Sequence, residues 1–142
     1  MQVIRTQKGV RELDRRFHRT RILLVDEDST DRDYYYRMLH NSGFAVRACS
    51  DFAEGVRLLG TTRFDCAVVS QGGPGFKGRL VLEQSIAKDR FRPVVILARY
   101  HDVGCYLEAM QLGAVDYLEK PLSTVEIVRA VTTHLQPRHA AA

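Results

Sequence analysis

The sequence predicts an α/β fold: three layers, built as a doubly wound sheet of five parallel strands. Three observations carry that prediction. Five short apolar runs occur in order, "ILLV" at 22–25, "FAVRAC" at 44–49, "CAVV" at 66–69, "VVILA" at 94–98 and "VDYL" at 115–118. Three of them are continuous rather than alternating, as strands buried on both faces are. Each is followed by a segment with apolar residues at helical spacing, and the connections are short. Right-handed crossovers then close a parallel sheet covered by helices on both sides.

The elements follow in order. After the first strand, Asp28, Ser29 and Thr30 offer N-caps to a helix running to about Asn41, with Tyr35, Met38 and Leu39 at core spacing. Ser42-Gly43 stops it. Tyr34, Tyr35 and Tyr36 are successive positions about 100° apart, so at least one ring faces solvent or an interface. "DFAEGVRLLG" is the second helix, with Phe52, Val56 and Leu59 on one side. The third strand empties into the glycine-rich loop "SQGGPGFKG", and "GRLVLEQSIAKD" follows as a helix with Leu80, Val81, Leu82 and Ile86 partly inward. Pro93 opens the fourth strand. In "DVGCYLEAMQLG", the expected inner face is Val103, Tyr106, Leu107 and Met110, closed by Gly113 just past the helix end. Pro121 ends the fifth strand, and "STVEIVRAVTTHL" makes a last helix with Val128, Val131 and Leu135 inward.

A chain of 142 residues is long enough for one domain with a real core. No apolar run approaches the roughly 20 residues that span a bilayer, and no signal-peptide core opens the chain, so a cytoplasmic location is expected. Cys49, Cys66 and Cys105 are odd in number and form no Cys-x-x-Cys, which argues for reduced thiols over zinc or disulfides. The net charge of +4 is local. Residues 1–19 carry Arg5, Lys8, Arg11, Arg15, Arg16 and Arg19 against Glu12 and Asp14, while charges in the remainder cancel. Any basic footprint for nucleic acid therefore belongs to this arm, which lacks aromatic interleaving. Val10, Leu13 and Phe17 repeat there at helical spacing, leaving an amphipathic helix and a disordered tail as equal alternatives. The chain divides into a basic arm at 1–19, a domain at 20–136 and a frayed tail at 137–142.

In a sheet of this kind ligands sit beyond the carboxyl ends of the strands. The residues there are Asp26 and Glu27 after strand one, Ser70 after strand three, Ala98 and Arg99 after strand four, and Lys120 after strand five. Two carboxylates and a lysine drawn from distant points make a polar set beyond what helix capping needs. From about residue 21 to 135, the chain resembles the response-regulator receiver domain of bacterial two-component signalling. The resemblance rests on "ILLVDED", "FDCAVVSQGGPGFKG", "PVVILA" and "LGAVDYLEKP". It implies the (βα)5 receiver fold with strand order 2-1-3-4-5. It also implies that Asp26 and Glu27 match an acidic pair that holds Mg²⁺, Lys120 a phosphoryl-binding lysine, and Tyr117 a switch aromatic. Ser70 falls where the family has its phosphoacceptor aspartate, and Ala98 where it has a hydroxyl that binds the phosphoryl group.

Both departures bear on the chemistry. A serine hydroxyl is not a nucleophile at neutral pH without a base, and of the histidines only His101 comes near. Mg²⁺ wants near-octahedral oxygen ligands, and Ser70 in place of an aspartate removes an anionic one. Asp26 and Glu27 would then be weak metal ligands, and Arg99 or Lys77 turned inward would compensate their charge. No cofactor and no catalysis are expected. The expected function is a stand-alone receiver-like protein-interaction module that is independent of phosphorylation. No output domain is expected after Leu135. It would meet a protein partner, or a second copy as a homodimer, through residues 101–135. A phosphorelay receiver with a non-standard acceptor is the alternative, and a nucleic-acid-binding regulator acting through the arm is a third. No membrane role is expected.

Overall fold

The apolar runs do pair as parallel strands. The structure is a computed structural model and describes residues 20–135, so the readings made on the arm and the tail lie outside the described residues. The strands are β1 (Arg21–Val25), β2 (Ala45–Cys49), β3 (Cys66–Ser70), β4 (Val94–Ala98) and β5 (Asp116–Glu119). The helices are α1 (Ser29–Asn41), α2 (Phe52–Thr61), α3 (Arg79–Lys88), α4 (Val103–Leu112) and α5 (Thr124–His134). The strands lie in the order β2-β1-β3-β4-β5, with the switch in direction between β1 and β3. Val25 is level with Val69, Ser70 with Leu97, and Ala98 with Glu119. This register brings the carboxyl ends of the strands to one rim.

Alternate residues of each central strand feed two separate cores, because side chains alternate across a strand. Leu23, Val25, Ala67, Val69, Ile96 and Ala98 pack under α2, α3 and α4. Ile22, Leu24, Cys66, Val68, Val95 and Leu97 pack with Tyr35 and Leu39 of α1 and Ile127 and Val131 of α5. Full burial of each such Leu, Ile or Val contributes about 1.5–3 kcal/mol. Tyr34 is the exposed ring of its triplet, Tyr35 is buried, and Tyr36 stacks on His40.

Short polar side chains start the helices. Asp28, Asp51 and Asp102 accept backbone N–H groups of the first turns of α1, α2 and α4, and Ser123 with Glu126 forms a reciprocal capping box at α5. α3 starts without a side-chain cap at Gly78. A Cβ built on Gly78 would stand 2.1 Å from the carbonyl oxygen of Ser70, so only glycine lets this turn close on the end of β3. Gly113 ends α4 at φ +110°, the left-handed region glycine favours.

Two expected inner faces differ from the observed ones. α4 turns Cys105 and Ala109 inward and leaves Val103 and Leu107 62% and 51% exposed, with Tyr106 and Met110 also at the surface. Both rows have helical spacing, and the small one wins because Phe76, Ala114 and Tyr117 already fill the space beneath the helix. Leu80 in α3 is likewise exposed, while Val81 and Leu82 carry the contact. All three cysteines are free thiols, with Cys66 and Cys105 buried. Among the described residues no helix is long and apolar enough to cross a membrane.

Candidate functional site

The polar residues at the rim converge. Asp26 leaves β1 buried, 1% exposed, and receives the Lys120 ammonium from the end of β5 at 2.8 Å on Oδ2. Its Oδ1 accepts the backbone N–H of Asp28 at 3.0 Å, so both carboxylate oxygens are engaged. The same ammonium donates to Oδ2 of Asp31 at 2.9 Å, on the first turn of α1. Arg99, following β4, closes the group from outside by donating to Asp28 at 2.8 Å and to Asp31 at 3.0 Å. Ser70 ends β3 and donates its hydroxyl to Oε1 of Glu27 at 3.2 Å. Ala98 is buried at the end of β4 and presents only a methyl group. Lys77 is exposed on the loop after β3 and takes no part in the cleft lining.

Burial sets the electrostatics. Loss of hydration pushes the Asp26 carboxyl up, against the pull of the Lys120 hydrogen bond. Burial also pulls the Lys120 ammonium down, but hydrogen bonds to Asp26 and Asp31 more than offset this and hold it above its ordinary value. The N–H of Asp31 and then the Arg99 guanidinium hold Asp28 below the usual carboxylate range. The polar set of Asp26, Glu27 and Lys120 singled out in the sequence is therefore incomplete. Four carboxylates, at 26, 27, 28 and 31, gather with two cations paired to them, Lys120 and Arg99, and the Arg32 guanidinium donates to the Asp26 carbonyl at 2.9 Å.

These donors fit a resident divalent ion poorly. Asp26 is committed on both oxygens, and Glu27 is an exposed carboxylate already accepting from Ser70. Among the described residues no three His, Cys, Asp or Glu side chains are grouped to hold a metal ion. Mg²⁺ keeps near-ideal octahedral oxygen geometry and dehydrates reluctantly, so a lone exposed carboxylate is a weak anchor.

Beside this network lies a cleft of about 290 Å³ lined by Glu27, Ser70, Gln71, Arg99, His101 and Lys120 among others. Behind two of the lining residues, Gln71 and Asp102, Tyr117 is turned inward. Its hydroxyl donates to Oε1 of Gln71 and accepts the N–H of Asp102 at 3.2 Å. His101 and Tyr106 meet the ring edge-on, at 5.4 and 5.6 Å between centroids.

The sheet order agrees with the comparisons to known proteins. The family profile of the response regulator receiver domain matches residues 22–132. The chain belongs to the response regulator receiver family. This receiver is 31% identical over 121 residues to the transcriptional regulatory protein FixJ of Bradyrhizobium diazoefficiens, covering 85% of this chain and 59% of that protein. It is 35% identical over 122 residues to the transcriptional regulatory protein PrrA of Mycobacterium leprae, covering 86% and 52% respectively. The chain thus spans a little over half the length of these relatives. A receiver domain from Methanospirillum hungatei superimposes with a TM-score of 0.78 at 20% identity, over 87% of this chain and 98% of that one, which shows the fold.

Of the residues singled out in the sequence, Asp26, Glu27, Ser70, Lys120 and Tyr117 gather at the rim, and Arg99 joins them through Asp28 and Asp31. Two participants went unnoticed. Asp31 was legible as the last acid of "DEDSTD", placed on the first helical turn beside a strand end. Gln71 carried no such signal beyond following Ser70.

Proposed function

We propose that this receiver domain works in a bacterial cytoplasmic signalling pathway as a protein-interaction module, without aspartyl phosphorylation and without catalysis. The observation that carries the reading is the state of the β3 end. A serine hydroxyl stands there, bonded to Glu27, while the ammonium across from it is already neutralised by Asp26 and Asp31. An incoming phosphoryl group would find no carboxylate acceptor at position 70, no hydroxyl at Ala98 and no uncommitted lysine. The face offered to a partner spans residues 101–135. Its centre is the exposed row of Val103, Tyr106, Leu107 and Met110 on α4, an apolar patch of the kind that marks interaction surfaces. A protein partner or a second copy would bind there.

One observation favours the alternative of phosphoryl transfer to an unorthodox acceptor. The Ser70 hydroxyl does point at a carboxylate, Glu27, which could receive its proton. A carboxylate is a weak base for a hydroxyl, so this contact orients Ser70 more than it activates it. Incubation with a small-molecule phosphodonor and Mg²⁺, read by intact mass, separates the readings. The expected outcome is no added phosphoryl group, and a stable adduct on Ser70 ends the first reading. Pull-downs with the whole chain, compared with variants at Tyr117 and Glu108, test the face. Glu108 is tied to Arg79 of α3 at the edge of this surface, so unchanged recovery from both variants counts against it.

A further inference from the structure

Tyr117 links the rim cleft to the exposed row on α4. Its ring is 6% exposed, and its hydroxyl sits between two partners from different elements, the Gln71 side chain and the Asp102 N–H. Gln71 is equally buried and is itself held in place. Its backbone N–H donates to Leu97 at 2.8 Å, and its Nε2 donates to the carbonyl of Gly73 at 2.8 Å. That return of the loop onto its own side chain needs Gly72 and Gly73 at φ +78° and +77°, where other residues are strained. With Nε2 committed to Gly73, Oε1 is left as an acceptor aimed at the tyrosine. Asp102, the other partner, is the N-cap of α4, and its carboxylate accepts the Cys105 N–H. The end of β4 itself contributes only the Ala98 methyl to this neighbourhood, so the side-chain hold on the hydroxyl comes from the loop after β3, beside the Asp102 N–H.

We infer that Gln71 is a positioning residue: its side-chain amide fixes Tyr117 in the buried arrangement and thereby sets the start of α4, with no group added at Ser70. Turning the ring outward would strip a donor from Gln71 Oε1 and an acceptor from the Asp102 N–H at once. Unmade buried hydrogen bonds of this kind are costly, which biases the two arrangements about tenfold or more toward the inward one. The inward ring in turn supports His101 and Tyr106 edge-on, and their tilted contact shapes the amino end of the α4 surface. The inference rests on the proposed function in one respect only, that the α4 face is what a partner meets.

Amide hydrogen exchange by NMR on the full chain tests it, comparing the wild type with Gln71→Met and Tyr117→Phe. Met keeps the length of the side chain and removes the amide, while Phe keeps the ring and removes the hydroxyl. In both variants the Asp102 amide is expected to exchange about tenfold faster, with Leu24 and Val68 at the centre of the sheet unchanged. An unchanged Asp102 rate in Gln71→Met overturns the inference, and so does equal acceleration of all three amides, the mark of plain destabilisation. Should Gln71→Met fail to fold, Gln71→Leu, which also removes the amide and keeps the tyrosine hydroxyl, decides by the same comparison. Phosphorylation of the wild type would end the preceding reading and leave this one standing. Unchanged exchange would do the reverse.

Discussion

Lys120 is the residue on which the rim balance turns. Its side chain is 7% exposed, and it is the cation bonded to the buried Asp26 carboxylate. Lys120→Met would leave that charge uncompensated, and breaking a buried pair from one side costs about 3–5 kcal/mol. Urea denaturation should show a loss of that size, and Asp26→Asn added to the same chain should recover part of it. A second consequence concerns alkaline pH. Burial pushes Tyr35 and Tyr117 above the ordinary tyrosine value of 10.0 and the Cys66 thiol up to about 12 from 9.0. Each is an acid that the folded state keeps protonated, so its contribution is intact below the unfolded value and is lost as pH rises toward the folded one. Lys120, held above 10.5, likewise loses its pairs as pH rises through its folded value. The urea midpoint should therefore decline from about pH 9 upward, and Cys66 should react with a thiol reagent only on unfolding. The rim residues could be found in the sequence because parallel strands of four or five residues end within about a residue of one another. Asp31 and Gln71 were hidden because their directions depend on tertiary geometry. Asp31 points to an ammonium 89 positions away, and Gln71 is aimed by two left-handed glycines.

At the scale of the elements, the strands were legible because continuous apolar runs have few other uses in a chain of this length. α4 was not, because periodicity finds an apolar face without saying how much room lies beneath it. Both its bulky row and its Cys105–Ala109 row satisfy the same spacing, and the ring of Tyr117 settles which one fits. It follows that Leu107→Ser should change stability by less than about 0.5 kcal/mol while weakening partner capture or self-association, measured by denaturation and sedimentation. The opposite sensitivity is expected at Gly78. A methyl group there collides with the backbone of Ser70, so one of the two must move. Gly78→Ala should cost about 1–3 kcal/mol, with amide shifts concentrated at Ser70 and Gln71.

For the whole molecule, the two cores give the sheet support on both faces, and the charged groups gather at the rim where the strands end. If the donors there hold no divalent ion, millimolar Mg²⁺ should leave the thermal midpoint unchanged. An ion that binds only the native state would raise it in proportion to the logarithm of its concentration. A rise that disappears in Glu27→Gln would place a metal site at the rim after all. The family resemblance followed from motifs and their spacing, the strand order came with that resemblance, and the gathering of strand-end residues followed from a parallel sheet. The added acids of α1 and the inward lock on Tyr117 needed coordinates.

The small residues under α4 also bear on motion. α5 is pinned by Ile127 and Val131, both fully buried, whereas α4 rests on a thiol and a methyl group. Little apolar contact is forfeited when such a helix lifts or slides, so it should open ahead of its neighbours in slow exchange. A partner docking there would then select among positions the helix already samples, and would tighten a lightly anchored helix as it binds.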